Sequence, residues 1–166
     1  MSGFELKRIA PDGIPHALEK AERYRLLNDP AQAESICLDI LAVDSTHQDA
    51  LTTMLLAITD EFQGEGDAAR SARAEAILPK LADEYARVYY GALVKERRAR
   101  AYAKHGRGPL AYDWAVEALH GFDHAMTLRP AGNDDAVLRW NACVRLLAHL
   151  PEPAADRHEQ AAITSE

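Results

Sequence analysis

The sequence is poor in the residues that interrupt or stiffen a helix. Its 166 residues include only nine Gly and eight Pro, and these cluster between segments of apolar periodicity. Residues branched at Cβ are sparse, whereas Ala, which loses the least conformational entropy in a helix, is abundant. We find no segment with the alternation of a half-buried strand. The composition therefore predicts an all-α chain.

Cysteine and long apolar runs are also scarce. Cys37 and Cys143 are too few for a disulfide framework, and both fall on apolar helix faces, which predicts buried, reduced thiols. The longest apolar run, residues 54–58, is too short to cross a bilayer, and residues 1–13 contain no signal-peptide core. We therefore expect a cytoplasmic protein with no membrane partner.

The charge and apolar content favour one acidic, folded domain. An apolar fraction of 48% is ordinary for a globular protein, and the length suits one domain with a full core. The net charge is -7 and the pI about 5.5. This sign of charge argues against a general nucleic-acid binder.

Turn residues divide the chain into seven predicted helices. Pro15, Pro30 and Pro109 are expected in first turns, where the missing N–H would bond nothing. Pro79 should end or kink the fourth helix. The predicted helices cover about residues 15–27, 30–43, 46–61, 67–79, 82–104, 109–128 and 133–150.

Short polar side chains at the boundaries are predicted to cap these helices. Asp29 should cap the second helix, Ser45 or Thr46 the third, and Asn133 the seventh. Outside the helices we expect an N-terminal segment, 1–13, and a disordered tail, 151–166, which is poor in large apolar residues. The folded domain is thus predicted to be 14–150.

Two predicted helices share a spacing of small and apolar residues. Steps of four, three and five residues separate Ala118, Phe122, Ala125 and Pro130, and the second helix repeats the steps from Ala33. With these residues, "AERYRLLNDPAQAESICLDILAVDS" and "AVEALHGFDHAMTLRP" resemble one unit and a half unit of the tetratricopeptide repeat family. The resemblance implies three helix pairs and a capping seventh helix, in a right-handed stack.

That family resemblance also implies a function. Helix pairs of this kind bury their apolar faces only against the next pair, and the first helices of the pairs line a concave groove for a peptide or a helix. Here the groove would be lined by the first, third and fifth helices. The partner-binding residues that we predict are Glu22, Arg25, Tyr89, Arg97, Arg100 and Asn141.

A second hypothesis starts from the basic fifth helix. Arg97, Arg100 and Lys104 follow one flank, with Arg98 and Arg107 nearby. This strip could bind RNA phosphate or another anion, in which case the protein would be a nucleic-acid or anionic-ligand adaptor. Alternatively it is a solvated face neutralised by local acids such as Glu96 and Asp113.

Glu96 interrupts the apolar stripe of the fifth helix. A carboxylate on the packed side needs a cationic partner, for which Arg100, Arg139 and Arg145 are candidates. A buried ion pair is the first interpretation, and a groove carboxylate that contacts a partner is the second. Nothing at a matching position completes a catalytic pair.

His120 and His124 lie four residues apart, with Glu117 one turn earlier, a spacing that can hold a metal. Phe122 and Ala125 occupy the packed face between them, so we interpret both imidazoles as solvated or hydrogen-bonded. We therefore predict a non-enzymatic interaction module or scaffold without catalytic residues, metal or cofactor. Its partner is expected to be a protein or peptide, and an apolar open end could support a homo-oligomer.

Overall fold

The computed structural model of the protein describes residues 3–152, and within that range every regular element is helical. The prediction of an all-α chain with seven helices is confirmed there. The helices are α1 (Ile14–Leu26), α2 (Pro30–Val43), α3 (Gln48–Asp60), α4 (Ala68–Glu75), α5 (Glu84–Lys104), α6 (Gly108–Leu128) and α7 (Asp135–Leu147). Two single 3-10 turns, Pro11–Gly13 and Leu78–Lys80, precede α1 and α5.

Some helices begin with the predicted cap and others do not. The Asp29 carboxylate accepts a hydrogen bond from the backbone N–H of Gln32 at 3.3 Å, as predicted for α2. The predicted cap of α3, Ser45 or Thr46, is wrong. His47 caps this helix, since its Nδ1 accepts from the N–H of Ala50 at 3.2 Å.

Two predicted boundaries are corrected in the same way. Asn133 does not cap α7 as predicted: its Oδ1 accepts from the N–H of Asp135 at 2.9 Å, and the helix starts at Asp135. α4 ends at Glu75, and Pro79 lies in the separate 3-10 turn that follows. At the start of α7, short polar side chains compete with the helix for backbone N–H groups, which shifts such a boundary by about one or two residues.

The seven helices make two kinds of contact. Each helix contacts the next one along the chain, and in addition α1 contacts α3, α3 contacts α5, and α5 contacts α7. The odd-numbered helices thus form a row, which we call the odd-helix row. A ligand that binds along this row would contact the side chains that remain exposed on it.

The core follows the predicted pattern of small and aromatic residues. Ala33 and Ala118 are fully buried where neighbouring helices approach closely, and Phe122 is fully buried between α5, α6 and α7. Tyr24 and Trp140 are half-buried and pack against the edges of two core clusters. Close approach of the helices therefore explains why small residues recur at these two positions.

The segments outside the helices differ in their contacts. Ile9 packs against Ile14 and Ile40, whereas Phe4 and Leu6 are exposed. The predicted disordered tail lies, from residue 153 onward, outside the described residues. No helix within residues 3–152 is long and apolar enough to cross a bilayer.

Candidate functional site

Three shallow clefts lie along the odd-helix row. The first, the α1–α3–α5 cleft, has a volume of about 410 Å³ and is lined by Glu22, Arg25, Leu26, Asp49, Thr52, Thr53, Leu56 and Tyr90. The second, the upper α5–α7 cleft, is lined by Tyr89, Asp135, Leu138, Arg139 and Ala142. The third, the lower α5–α7 cleft, has a volume of about 350 Å³ and is lined by Arg100, Ala142, Arg145, Leu146 and His149.

Asp60, in the last turn of α3, joins three helices of the row. Its Oδ2 accepts a hydrogen bond from Nε of Arg25 on α1 at 2.8 Å. Its Oδ1 accepts from Nη1 of Arg97 on α5 at 3.0 Å. All three side chains are half-buried, and burial lowers the pKa of Arg97 although Asp60 opposes that effect. One carboxylate therefore holds two guanidiniums in place along the row.

Glu96 is the fully buried carboxylate of the row. Its side chain is 0% exposed, and its Oε1 lies 2.9 Å from Nε of Arg100 and 3.5 Å from Nη1 of Arg139. The predicted buried ion pair is thus confirmed, with two of the three candidate arginines; Arg145 instead lines the lower α5–α7 cleft. Within the described residues, Oε2 of Glu96 accepts no hydrogen bond.

Arginines outnumber carboxylates in these internal contacts. Four guanidiniums, those of Arg25, Arg97, Arg100 and Arg139, surround two carboxylates. Every one of the four is partly exposed, so that donors not used internally can reach a ligand. Burial alone would lower the pKa of Arg139, but Glu96 and Tyr89 raise it overall. Arg139 is therefore held in its charged form at the surface of the row.

Tyrosines of α5 form the apolar side of the row. Tyr85 stacks on Tyr89 with ring centroids 5.6 Å apart, and Tyr89 meets Tyr90 edge-on at 5.1 Å. Burial raises the pKa of the Tyr89 phenol, while the adjacent Arg139 acts in the opposite direction. Burial also raises the pKa of Tyr85, to about 12. All three phenols are therefore neutral hydrogen-bonding groups near pH 7.

The row brings together five of the six predicted partner-binding residues. Glu22 and Arg25 line the first cleft, Tyr89 the second and Arg100 the third, while Arg97 is held by Asp60. Asn141 is exposed on α7 and takes part in none of these contacts within residues 3–152.

Sequence reasoning missed two members of the site, Asp60 and Leu138. One indication was available for Asp60. It lies 35 residues after Arg25 and 37 before Arg97, close to the period of about 34 residues in the family that the sequence resembles.

Most basic side chains on or near α5 form ion pairs with carboxylates. Arg98 forms an ion pair with Glu75 at 3.5 Å and stacks 3.8 Å above the ring of Trp114. Lys95 pairs with Glu117 at 3.3 Å. Arg107 pairs with Glu65. Glu96 pairs with Arg100, as the alternative interpretation of the strip predicted, but Asp113 forms no ion pair within the described range. The strip is thus largely neutralised, mainly by carboxylates of other segments.

The histidine pair has no metal-ligand geometry around it. His120 and His124 are both exposed, and the carboxylate of Glu117 is occupied by Lys95. Between residues 3 and 152 no three His, Cys, Asp or Glu side chains are placed to hold a metal ion.

Both cysteines are buried free thiols, as predicted. Burial raises the pKa of Cys37 and of Cys143 to about 12. A thiol with such a pKa carries almost no thiolate at neutral pH and is a poor nucleophile. The two cysteines therefore belong to the core.

A scan of the chain against models of protein families found no match, and searches of curated proteins and of solved structures found none either.

Proposed function

We propose that this chain is a non-enzymatic protein-interaction module, built as a tetratricopeptide-like, right-handed stack of antiparallel helix pairs. Its groove, the odd-helix row, binds a peptide or a helix of another protein. The repeated spacing from Ala33 and from Ala118 and the contacts between successive odd-numbered helices support this architecture.

The observation that carries the proposal is the composition of the three clefts. Each combines partly exposed arginine with apolar side chains, and Leu26 and Leu138 at the cleft edges are 88% and 63% exposed. Tyrosine and arginine dominate the energetics of protein interfaces, because they join apolar area to directed hydrogen bonds. The clefts are shallow and form a series, which suits an elongated peptide better than a small substrate.

The alternative, an adaptor for nucleic acid through α5, has less support. Lys95, Arg97 and Arg98 of that helix are engaged with carboxylates, and Lys104 is the member of the strip for which the described residues offer no ion pair. A phosphate backbone would have to displace these internal partners.

Selection from a random peptide display library tests the proposal. Selected peptides should bind the wild type and lose affinity for Leu138→Asn or Leu26→Asn, which remove apolar contact without adding charge. Val144→Asn is the matched control, because Val144 is an exposed apolar residue elsewhere on α7. Equal loss of binding in the Leu138 and Val144 variants, or no loss in any variant, would contradict the proposed groove.

Removing Arg97 and Arg100 together would be a poorer test. Arg100 is a partner of the buried Glu96, so its loss affects folding as well as any ligand. Substitutions at the exposed leucines separate the two effects.

A further inference from the structure

The lower α5–α7 cleft differs from the other two in the sign of its charges. Its charged or titratable lining residues are all basic types: Arg100, Arg145 and His149. The α1–α3–α5 cleft has Glu22 and Asp49 in its lining, and the upper α5–α7 cleft has Asp135. On a chain with a net charge of -7, this cleft is therefore a local site of the opposite sign.

Glu96 orients one of these side chains, that of Arg100, without lining the cleft itself. It is 0% exposed and binds Nε of Arg100 through Oε1 at 2.9 Å. This contact leaves the two terminal nitrogens of Arg100, whose side chain is 46% exposed, for a ligand. A guanidinium held in this way is pre-organised for a carboxylate, because less conformational freedom is lost on binding.

Arg145 supplies a second cation. It lies in the last turn of α7, where a positive charge also suits the helix dipole, and it forms no ion pair within the described part of the chain. The helix dipole favours an arginine at this position in any case. It does not explain why Arg145 lines the same cleft as Arg100 and His149. The convergence of the three on an apolar floor, Ala142 and Leu146, is the geometry of a site for an anionic group beside an apolar one.

The two α5–α7 clefts adjoin each other at Ala142, which lines both. Leu138, Ala142 and Leu146 follow one another at intervals of four residues along α7 and span about 12 Å. A ligand that extends along this line of α7 from the basic end reaches Leu138 and Tyr89 at the other end.

We infer that the lower α5–α7 cleft binds acidic side chains of a partner peptide, whose neighbouring apolar residues occupy the upper α5–α7 cleft. This inference rests on the proposed function and specifies the chemistry of the partner: Asp or Glu next to Leu-like residues. Arg100 and Arg145 bind the carboxylates, and Leu138 with Ala142 provides the apolar contact.

The test uses a fluorescein-labelled peptide of about twelve residues, which spans about 18 Å as a helix. It is composed of Glu, Leu and Ala, and two companion peptides carry Lys or Gln in place of every Glu. Fluorescence anisotropy measures the Kd of each peptide for the full chain and for Arg145→Glu. Arg23→Glu is the matched control, since Arg23 is exposed on α1, has no ion pair within residues 3–152 and changes the net charge equally.

We expect the Glu peptide to bind the wild type and Arg23→Glu alike, and to bind Arg145→Glu about tenfold more weakly. Arg145→Gln should have a smaller effect in the same direction, and the Kd should rise with salt. Circular dichroism of each variant checks that the fold is intact.

Three results would overturn the inference: equal binding of the Glu peptide to Arg145→Glu and Arg23→Glu, no binding of this peptide, or preference for the Lys or Gln peptide. If the Lys or Gln peptide binds and Leu138→Asn abolishes that binding, the acidic partner is wrong while the proposed function stands. Sedimentation of the chain without peptide measures self-association. Self-association that blocks the lower α5–α7 cleft would also overturn the inference.

Discussion

Gly121 of α6 lies directly against Ala92 of α5. A Cβ on Gly121 would stand 2.7 Å from the Cβ of Ala92 and 3.2 Å from its Cα, well inside van der Waals contact. Gly121→Ala should therefore lower the free energy of unfolding. Overpacking costs about 1–3 kcal/mol, which outweighs the gain of roughly 1 kcal/mol in helix propensity. Urea unfolding measures the difference.

Gly91 of α5 is the matched control for this substitution. A Cβ there would meet Cδ1 of Leu78 at 3.6 Å, an ordinary contact. Gly91→Ala should raise the free energy of unfolding by up to about 1 kcal/mol. If both alanine variants were equally stable, the close approach of α5 and α6 at Gly121 would be wrong.

Removal of the cations that surround Glu96 should cost more than removal of Glu96 itself. The double change Arg100→Ala and Arg139→Ala leaves a fully buried carboxylate without a partner, a loss of about 3–5 kcal/mol. Glu96→Leu leaves two arginines that are already partly exposed, so its effect should be smaller. Thermal or urea unfolding of the three proteins tests the order.

A rescue experiment makes this prediction specific. Glu96→Leu introduced into the double arginine variant should restore most of the lost stability, because the unpaired charge is then absent. The pair Arg23→Ala and Arg145→Ala removes two exposed arginines and should change stability by about 0.5 kcal/mol or less per site. A double Arg100 and Arg139 variant as stable as this control would refute the role given to Glu96.

Phe122 should be one of the most sensitive positions of the core. It is fully buried, and its ring lies 5.8 Å from that of Tyr89. Phe122→Ala removes the ring and leaves a cavity, with an expected loss of about 3–5 kcal/mol in urea unfolding. Val144→Ala, at an exposed site on α7, should have an effect within about 0.5 kcal/mol. Similar losses in the two variants would contradict the described core.

The buried thiols predict a loss of stability at alkaline pH. Burial raises the pKa of Cys37 and Cys143 from 9.0 to about 12. Above about pH 9 the unfolded chain loses these protons while the folded chain keeps them, so the free energy of unfolding falls as pH rises towards 12. The expected loss is roughly 1 kcal/mol per thiol for each pH unit in this window.

Urea unfolding at about pH 7 and about pH 10 checks this sign, because only the higher pH lies in the window. Burial also raises the pKa of Tyr85, to about 12, so tyrosines add to the effect. The variant Cys37→Ala with Cys143→Ala isolates the thiols and should lose less stability between the two pH values than the wild type. An equal loss in both proteins would exclude the thiols as its cause.

Several features of the fold followed from local sequence. The prolines at 30 and 109 mark the starts of α2 and α6, and Asp29 caps the helix that it precedes. The predicted caps of α3 and α7 were wrong because several short polar side chains stand side by side there. Local competition for backbone N–H groups decides which of them bonds, and spacing alone does not rank them.

Only part of the candidate site could be predicted from the sequence. A carboxylate in an apolar stripe needs a cation wherever it is buried, so Glu96 could be identified from the sequence. The choice of Arg139 over Arg145 depends on how α7 lies against α5. Asp60 was missed because its two partners are 35 and 37 residues away in the chain.

The sequence by itself determined the all-helical character, the small and aromatic positions of the core and the need for a cation at Glu96, because propensity, periodicity and desolvation act locally. The tertiary structure alone decided which arginines meet Asp60 and Glu96, and that Arg100 and Arg145 line one cleft, the lower α5–α7 cleft. Those relations depend on distances between helices, which no single segment encodes.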